Sequence, residues 1–461
     1  MSKINRKSLI QYLRTAGMLS AKEICAHFSA SQPTANLALS ASRREILKIG
    51  KGSRTRYAAR REVSGLGDTW NIFRVGSTGT PQSFAKLYAI FGEDAREEFA
   101  VVFEKNVPET LVKALCGDEF RDGIFPDLPW FLLDHRPQGF IGRGIAATLV
   151  PLNFSPKIEN WRSETILRYW LGFGDDIAGS LIIGDAMREK FLSAGASGTH
   201  QIIPKNERAT AYPANATQAQ NSVSVFSSAA GEQPKFIATV TDAQKSVRSC
   251  IVKFSGEIST AVGRREADLL VAEKIASDIL ADAGFPVPHT EIIFAKNRCF
   301  LESARIDRVG ERGRVFTFSL NAIDAAFIGS EATSWADSVG RGVEFGLFSD
   351  ETLARVRELQ DFGNAIGNTD MHFGNLSFKL HNDALPFALA PVYDMNPAIY
   401  APRRNETELF SDALAVIPAS NRAQELAARF WEKVSTDARI SENFRQIATQ
   451  NFSKTNTRTF S

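Results

Sequence analysis

The 461-residue chain has little cysteine and histidine, and neither is arranged for metal or redox chemistry. Cys25, Cys116, Cys250 and Cys299 stand far apart with no Cys-x-x-Cys pair, so reduced structural thiols are expected rather than a zinc or dithiol site. The six histidines are equally scattered, and no His-x3-His or HExxH spacing puts two on one helix face, so a transition-metal enzyme is not expected. Also missing is any apolar run near the roughly 20 residues that a bilayer span needs. The N-terminal MSKINRKSLIQYLRTAG mixes charge into its apolar positions, unlike a signal peptide. The expectation is a cytoplasmic protein with no membrane partner. With 44% hydrophobic and 23% charged residues the composition is globular, and at about 100 to 200 residues per domain the length calls for several domains.

The net charge of +2 conceals a division along the chain: residues 1–61 hold 13 Lys/Arg and 2 Asp/Glu, or +11, leaving 41 and 50, or −9. Within the basic part, Leu9, Ile10 and Leu13 form a helical stripe ended by Gly17. Ser20 followed by Glu23 is a capping-box start for a second helix to about Phe28. Pro33 opens a third, PTANLALSASRRE, as proline can in a first helical turn. EILKIGKGSRTRYAA then reads as two short strands around Lys51-Gly52-Ser53, in the place of a wing. Residues 1–62 are therefore expected to be a winged helix-turn-helix that binds double-stranded DNA. Gln32, Thr34, Asn36 and Ser40 would face base edges, and Arg43, Arg44, Lys48, Lys51, Arg54 and Arg56 would meet phosphates.

Residues 63–204 mix apolar runs such as FAVVF, PWFLL and GSLIIG with Gly/Pro turns, an α+β pattern. Asp175 and Asp176 are expected in a solvated turn between Gly174 and Gly179. Residues 205–224, KNERATAYPANATQAQNSVS, are small and polar and read as a linker or loop.

The strongest chemical signal is IGNTDMHFGNLSF, in which Asn375 follows Asp370 by five positions. Phosphoryl transfer to a hydroxyl needs a carboxylate to orient the nucleophile and accept its proton, and hard oxygen ligands for Mg²⁺ beside the phosphates. Asp370 suits the first role and Asn375 the second; the Asp-x4-Asn interval is that of protein-kinase catalytic loops. Asp394, at the end of the apolar LAPVYD, is the candidate second Mg²⁺ ligand. Lys253 lies inside the strand SCIVKFSG, where a bare ammonium is costly without an anion such as phosphate. Glu273, preferred over Glu266 on the same helical run, would orient it. Upstream, small residues around Gly231 would let backbone approach phosphates, with Lys235 adding charge.

These segments resemble, in order, those of the HipA-like serine/threonine kinases. SSAAGEQPKF is similar to the family's Ser-x-Ala-Gly-x-Gln-x-Lys phosphate loop, LESARIDR to its strand ending in Arg-x-Asp-Arg (Arg305, Asp307, Arg308), and IGNTDMHFGN and VYDMN to its catalytic-loop and metal-ligand segments. LPWFLLDHRPQGFIGR and LGFGDDIAGSLIIG resemble the subdomain that precedes the core. The resemblance implies an α+β fold with a bilobal, protein-kinase-related core over residues 225–461, preceded by a HipA-like N-terminal subdomain over 63–204. It implies ATP binding by Ala230, Gly231, Glu232, Gln233, Lys235, Lys253 and Glu273, autophosphorylation of Ser228, and a toxin acting on a protein substrate, an aminoacyl-tRNA synthetase being one class. The family commonly has a lysine where Gly374 stands here. Its usual antitoxin is a separate DNA-binding protein, whereas this chain carries its own basic domain, the layout of the solitary YjjJ type. Two other readings stay open: a transcriptional regulator whose kinase-like part only binds nucleotide or ligand, and a small-molecule kinase. A homodimer also stays open, since no heptad or seam argues for or against it.

Overall fold

The computed structural model describes residues 4–50, 52–120, 122–194, 202–224, 233–329, 331–402, 409–415 and 420–456. Lys51, Ser228, Ala230, Gly231 and Glu232, all expected at functional sites, lie outside the described residues.

The chain opens with helices Arg6–Ala16, Ala21–Phe28 and Gln32–Ala41, followed by the antiparallel strands Ile46–Ile49 and Arg56–Ala59. Ser20 and Glu23 form the expected reciprocal cap. The third helix stops at Ala41, short of the expected Glu45. There the Ser42 hydroxyl donates back to the Ala38 carbonyl, and Glu45 and Ile46 turn into the hairpin. This unit is not an isolated bead. Leu47, Ile49 and Ala58 of the hairpin share a core with Ile90 and Ala100 of the next sheet. Gly17, at φ 72°, ends the first helix so close to that sheet that a β-carbon would sit 2.6 Å from the Glu93 nitrogen.

The next layer is an antiparallel sheet in the order Ile124–Phe125, Glu97–Phe103, Pro81–Phe91, Thr69–Val75, Leu181–Ile183, with helices packed around it. A second five-stranded sheet runs Thr290–Ala295, Arg298–Ala304, Val247–Phe254, Lys235–Thr241, Ile202–Ile203, antiparallel except for the last pairing. Helix Ala261–Asp282 crosses it. A third, three-stranded sheet (Thr317–Ser319, Ser377–His381, Ala384–Leu389) sits among the C-terminal helices. One continuous apolar core joins the first and third sheets; Trp130, in the short helical segment Trp130–His135 between them, lies 5.3 Å, ring to ring, from Phe318 of the third.

Two expectations are corrected. Residues 205–224 are not a linker: Arg208–Ser224 is a helix, despite Pro213 inside it. Its stripe of Tyr212, Ala216 and Ala219 packs against Phe236, Val252 and Phe300 of the second sheet. Buried Arg208 donates to Glu291 and to the Thr241 carbonyl. The stripe is built mostly of alanine, so it does not stand out by composition. Asp175 and Asp176 are likewise not in a solvated turn. Asp175 is buried and bonded by Lys190 at 2.8 Å, while Asp176 meets Arg308 at 2.6 Å and Arg305 at 3.3 Å. Those arginines also grip Asp307, which accepts from Arg305 at 3.0 and 2.9 Å, from Arg308 at 2.7 Å and from the Gly179 amide at 2.8 Å. The arginine-rich segment leaving the second sheet is thereby clasped to the first.

Candidate active site

Strand Val247–Phe254 alternates its side chains. Cys250, Val252 and Phe254 point to the core beneath helix Arg208–Ser224, so Lys253 points the other way, toward helix Ala261–Asp282 and the C-terminal half. There its ammonium lies 2.7 Å from both oxygens of Glu273 and 2.6 Å from Asp394 Oδ1. Glu266, the rival on the same helix, accepts instead from the Gly256 amide. Burial opposes the charge on Lys253, but Asp394 and Glu273 outweigh it and raise its pKa above the ordinary lysine value. Burial also works against ionised Asp394, yet Lys253 and then Lys235 hold that carboxyl below its usual range. At Glu273 burial wins and the pKa is raised, Lys253 opposing.

The catalytic-loop candidates follow helix Asp350–Ile366, which ends at Gly367 in the left-handed region with φ 78°. Asp370 and Asn375 are joined directly: the Asn375 side-chain amide donates to the Asp370 carbonyl at 2.8 Å. Asn375 is buried, whereas the Asp370 carboxylate is 68% exposed and free to meet an incoming group. Asp394 has a left-handed φ of 57°, a strained conformation for a residue with a side chain, and reaches the same cleft from the far end of the hairpin Ser377–Leu389.

Sequence reading missed the residues that tie these together. Buried Asn368 accepts from the Asp370 backbone amide at 3.0 Å and extends its own amide to the Asp394 backbone carbonyl at 3.5 Å, so one side chain bridges the backbones that carry the two candidate carboxylates. The Asn-x-Asp spacing of an Asx turn in IGNTD was the signal for it. The Tyr393 hydroxyl donates to the Gly374 carbonyl at 2.9 Å, and the Trp335 indole to the His372 carbonyl at 3.0 Å. His372 lies 4.0 Å from Asp370. Its imidazole accepts from the Gly374 amide at 3.1 Å and lies where a β-carbon at position 374 would meet it.

Of the remaining candidates, Gln233 donates from its side chain to the Phe254 carbonyl at 2.7 Å, and Lys235 pairs across the strands with Lys253 on the same face. Far from this cleft, Gln32, Asn36, Ser40, Arg43, Lys48 and Arg56 line a basin between the third helix and the hairpin. Thr34, Arg44 and Arg54 are exposed in the same unit.

Asp394 and Asn375 supply hard oxygens of the kind Mg²⁺ takes. With its Nδ2 committed to Asp370, Asn375 has its side-chain oxygen to offer. Such a pair suits a cation whose other ligands are phosphate and water, so the donor set fits Mg²⁺ with a nucleotide.

Residues 66–192 match the family described as YjjJ-like toxin, middle domain, and residues 227–458 match the HipA-like C-terminal domain. Over 444 residues the chain is 35% identical to Toxin YjjJ of Escherichia coli (strain K12), covering 94% of each protein. A chain from the Shewanella oneidensis MR-1 toxin–antitoxin complex of HipA, HipB and operator DNA superposes with a TM-score of 0.53 at 14% identity, over 83% of this chain and 96% of that one, a likeness of fold.

Proposed function

Since the chain belongs to the YjjJ-like toxins with a HipA-like C-terminal domain, we propose that it is an ATP- and Mg²⁺-dependent serine/threonine protein kinase that also binds duplex DNA through residues 1–62. The observation that carries the kinase reading is the bonded chain Glu273–Lys253–Asp394–Asn368–Asp370–Asn375, which gathers residues spread over more than a hundred positions into one cleft. Asp370, the only exposed carboxylate of that chain, orients the substrate hydroxyl and takes its proton. Lys253, held by both Glu273 and Asp394, is placed to hold phosphate oxygens. Asp394 and Asn375 would hold Mg²⁺, which would supply charge neutralisation at the phosphates. Ser228 is the proposed autophosphorylated residue, and the substrate is a protein hydroxyl in the cytoplasm.

The DNA reading rests on the +11 charge of residues 1–61 and on the basic basin between the third helix and the hairpin. Incubation of the full chain with radiolabelled ATP and Mg²⁺ tests the enzyme. Label transferred to protein serine or threonine supports it, binding without transfer favours a nucleotide sensor, and label on a sugar or lipid alone favours a small-molecule kinase. Phosphopeptide mapping that places the label elsewhere than Ser228 removes the autophosphorylation assignment.

A further inference from the structure

The third helix is held to its domain by Ala35, Leu39 and Ser42, all buried. At about 100° per residue, Leu37 lies about 200° around from Ala35 and points straight away from the domain, with Pro33 on the same outer stripe. Leu37 is 74% exposed, the highest exposure of any large hydrophobic side chain among the described residues. Single exposed leucines need no explanation in themselves. This one stands on the face that leads a helix into whatever the domain binds.

Its surroundings say what that is. The adjoining face of the helix (Gln32, Asn36, Arg43) forms, with Lys48 and Arg56 of the hairpin, a basin of about 790 Å³ in which no acidic residue appears among the described lining residues. An apolar protein partner on Leu37 would have to strip water from Arg43 and Arg44 without offering them charge. A phosphodiester strand in the basin satisfies these cations. It also turns the outer stripe toward the floor of the major groove, where thymine alone presents a methyl group.

We infer that Leu37 is a base-reading residue that packs against the 5-methyl group of thymine in duplex DNA. The inference rests on the DNA-binding reading above and adds to it a specificity that the polar residues of the helix do not supply.

The test uses the full chain. Sites are selected from a pool of randomised duplexes at low salt, and each thymine of the selected site is then replaced by uracil, which lacks only the methyl. The wild type should lose about fourfold in affinity at one or more positions, the contribution of one buried methyl group. Leu37→Ala should bind thymine and uracil sites equally while keeping its salt dependence; because the side chain is exposed, the fold is not at risk. Indifference of the wild type to uracil, or undiminished discrimination in Leu37→Ala, overturns the inference and leaves DNA binding standing. A change from dimer to monomer in Leu37→Ala with discrimination intact assigns the residue to self-association instead. If the full chain binds no duplex at all, the DNA-binding reading falls first and this one with it.

Discussion

Asn375 donates its side-chain amide to the backbone carbonyl of Asp370, so the candidate metal ligand braces the loop that carries the candidate base. The Asp370 carboxylate points to solvent, and among the described residues its only charged neighbour is His372, at 4.0 Å. Asp370→Asn should therefore lower phosphoryl transfer by about 10² to 10⁴-fold, the range for a general base, without moving the melting temperature. Radiolabel turnover and calorimetry on the same preparation check it; retained turnover removes the assigned role.

Lys253→Met should behave oppositely. It leaves Glu273 and Asp394 facing each other without a cation, a loss of about 3 to 5 kcal/mol for a broken buried pair. Urea unfolding should show that cost even without nucleotide, and Asp394→Asn in the Lys253→Met background should recover part of it by removing one of the two like charges.

The clasp between the sheets predicts an acid sensitivity. His135 is buried beside it, and its pKa is pushed down to about 3, by burial first and then by Arg314 and Arg308 against Asp307. An unfolded imidazole titrates near 6.5, so between these values the unfolded chain binds a proton that the folded chain does not. Stability then falls as pH falls from about 6.5 toward 3, by about 1.4 kcal/mol per unit. His135→Leu should flatten the pH dependence of the urea midpoint between pH 6.5 and 4.5; equal slopes would rule this origin out.

Asp307 adds a separate component lower on the scale. Burial opposes its charge, but Arg305 and Arg308 hold its carboxyl well below the usual carboxylate range. Its contribution is complete above the ordinary aspartate value near 3.9 and is lost as pH falls toward the depressed folded value. Asp307→Asn should remove that dependence and cost about 3 to 5 kcal/mol at neutral pH, because Arg305 remains buried.

Binding of the full chain to duplex DNA should fall about 10³-fold between 50 and 200 mM salt if all six of Arg43, Arg44, Lys48, Lys51, Arg54 and Arg56 neutralise phosphates. Charge-reversing two of them should make the dependence shallower. A flat salt profile contradicts phosphate contact.

The short-range features of this chain were legible in its residues. Ser20–Glu23 announced a helix start, Lys253 inside an apolar strand announced a buried anionic partner, and the spacing of Asp370 and Asn375 marked the loop in which the two are bonded. Glu273 was separable from Glu266 only as a preference, because both lie on one helix and the choice depends on how that helix crosses the sheet. What stayed hidden was long-range or low in contrast. Asp176 meets Arg308 across 132 positions, so nothing local marks it as the centre of an ion cluster. Helix Arg208–Ser224 packs through alanines, whose small apolar surface reads as linker composition. Asn368 looks like an ordinary turn residue until Asp394 returns from the other end of its hairpin.

The shared core of Leu47, Ile49 and Ala58 with Ile90 and Ala100 has a consequence for how the molecule would sit on a duplex. Residues 1–62 cut away from the sheet would expose those side chains, so the N-terminal unit does not swing on a leash. Whatever bearing a double helix takes against the third helix and hairpin would also fix the compass direction in which the candidate cleft opens. Proteins docked at one side of the bound site would be within reach of Asp370, and those on the other side would not.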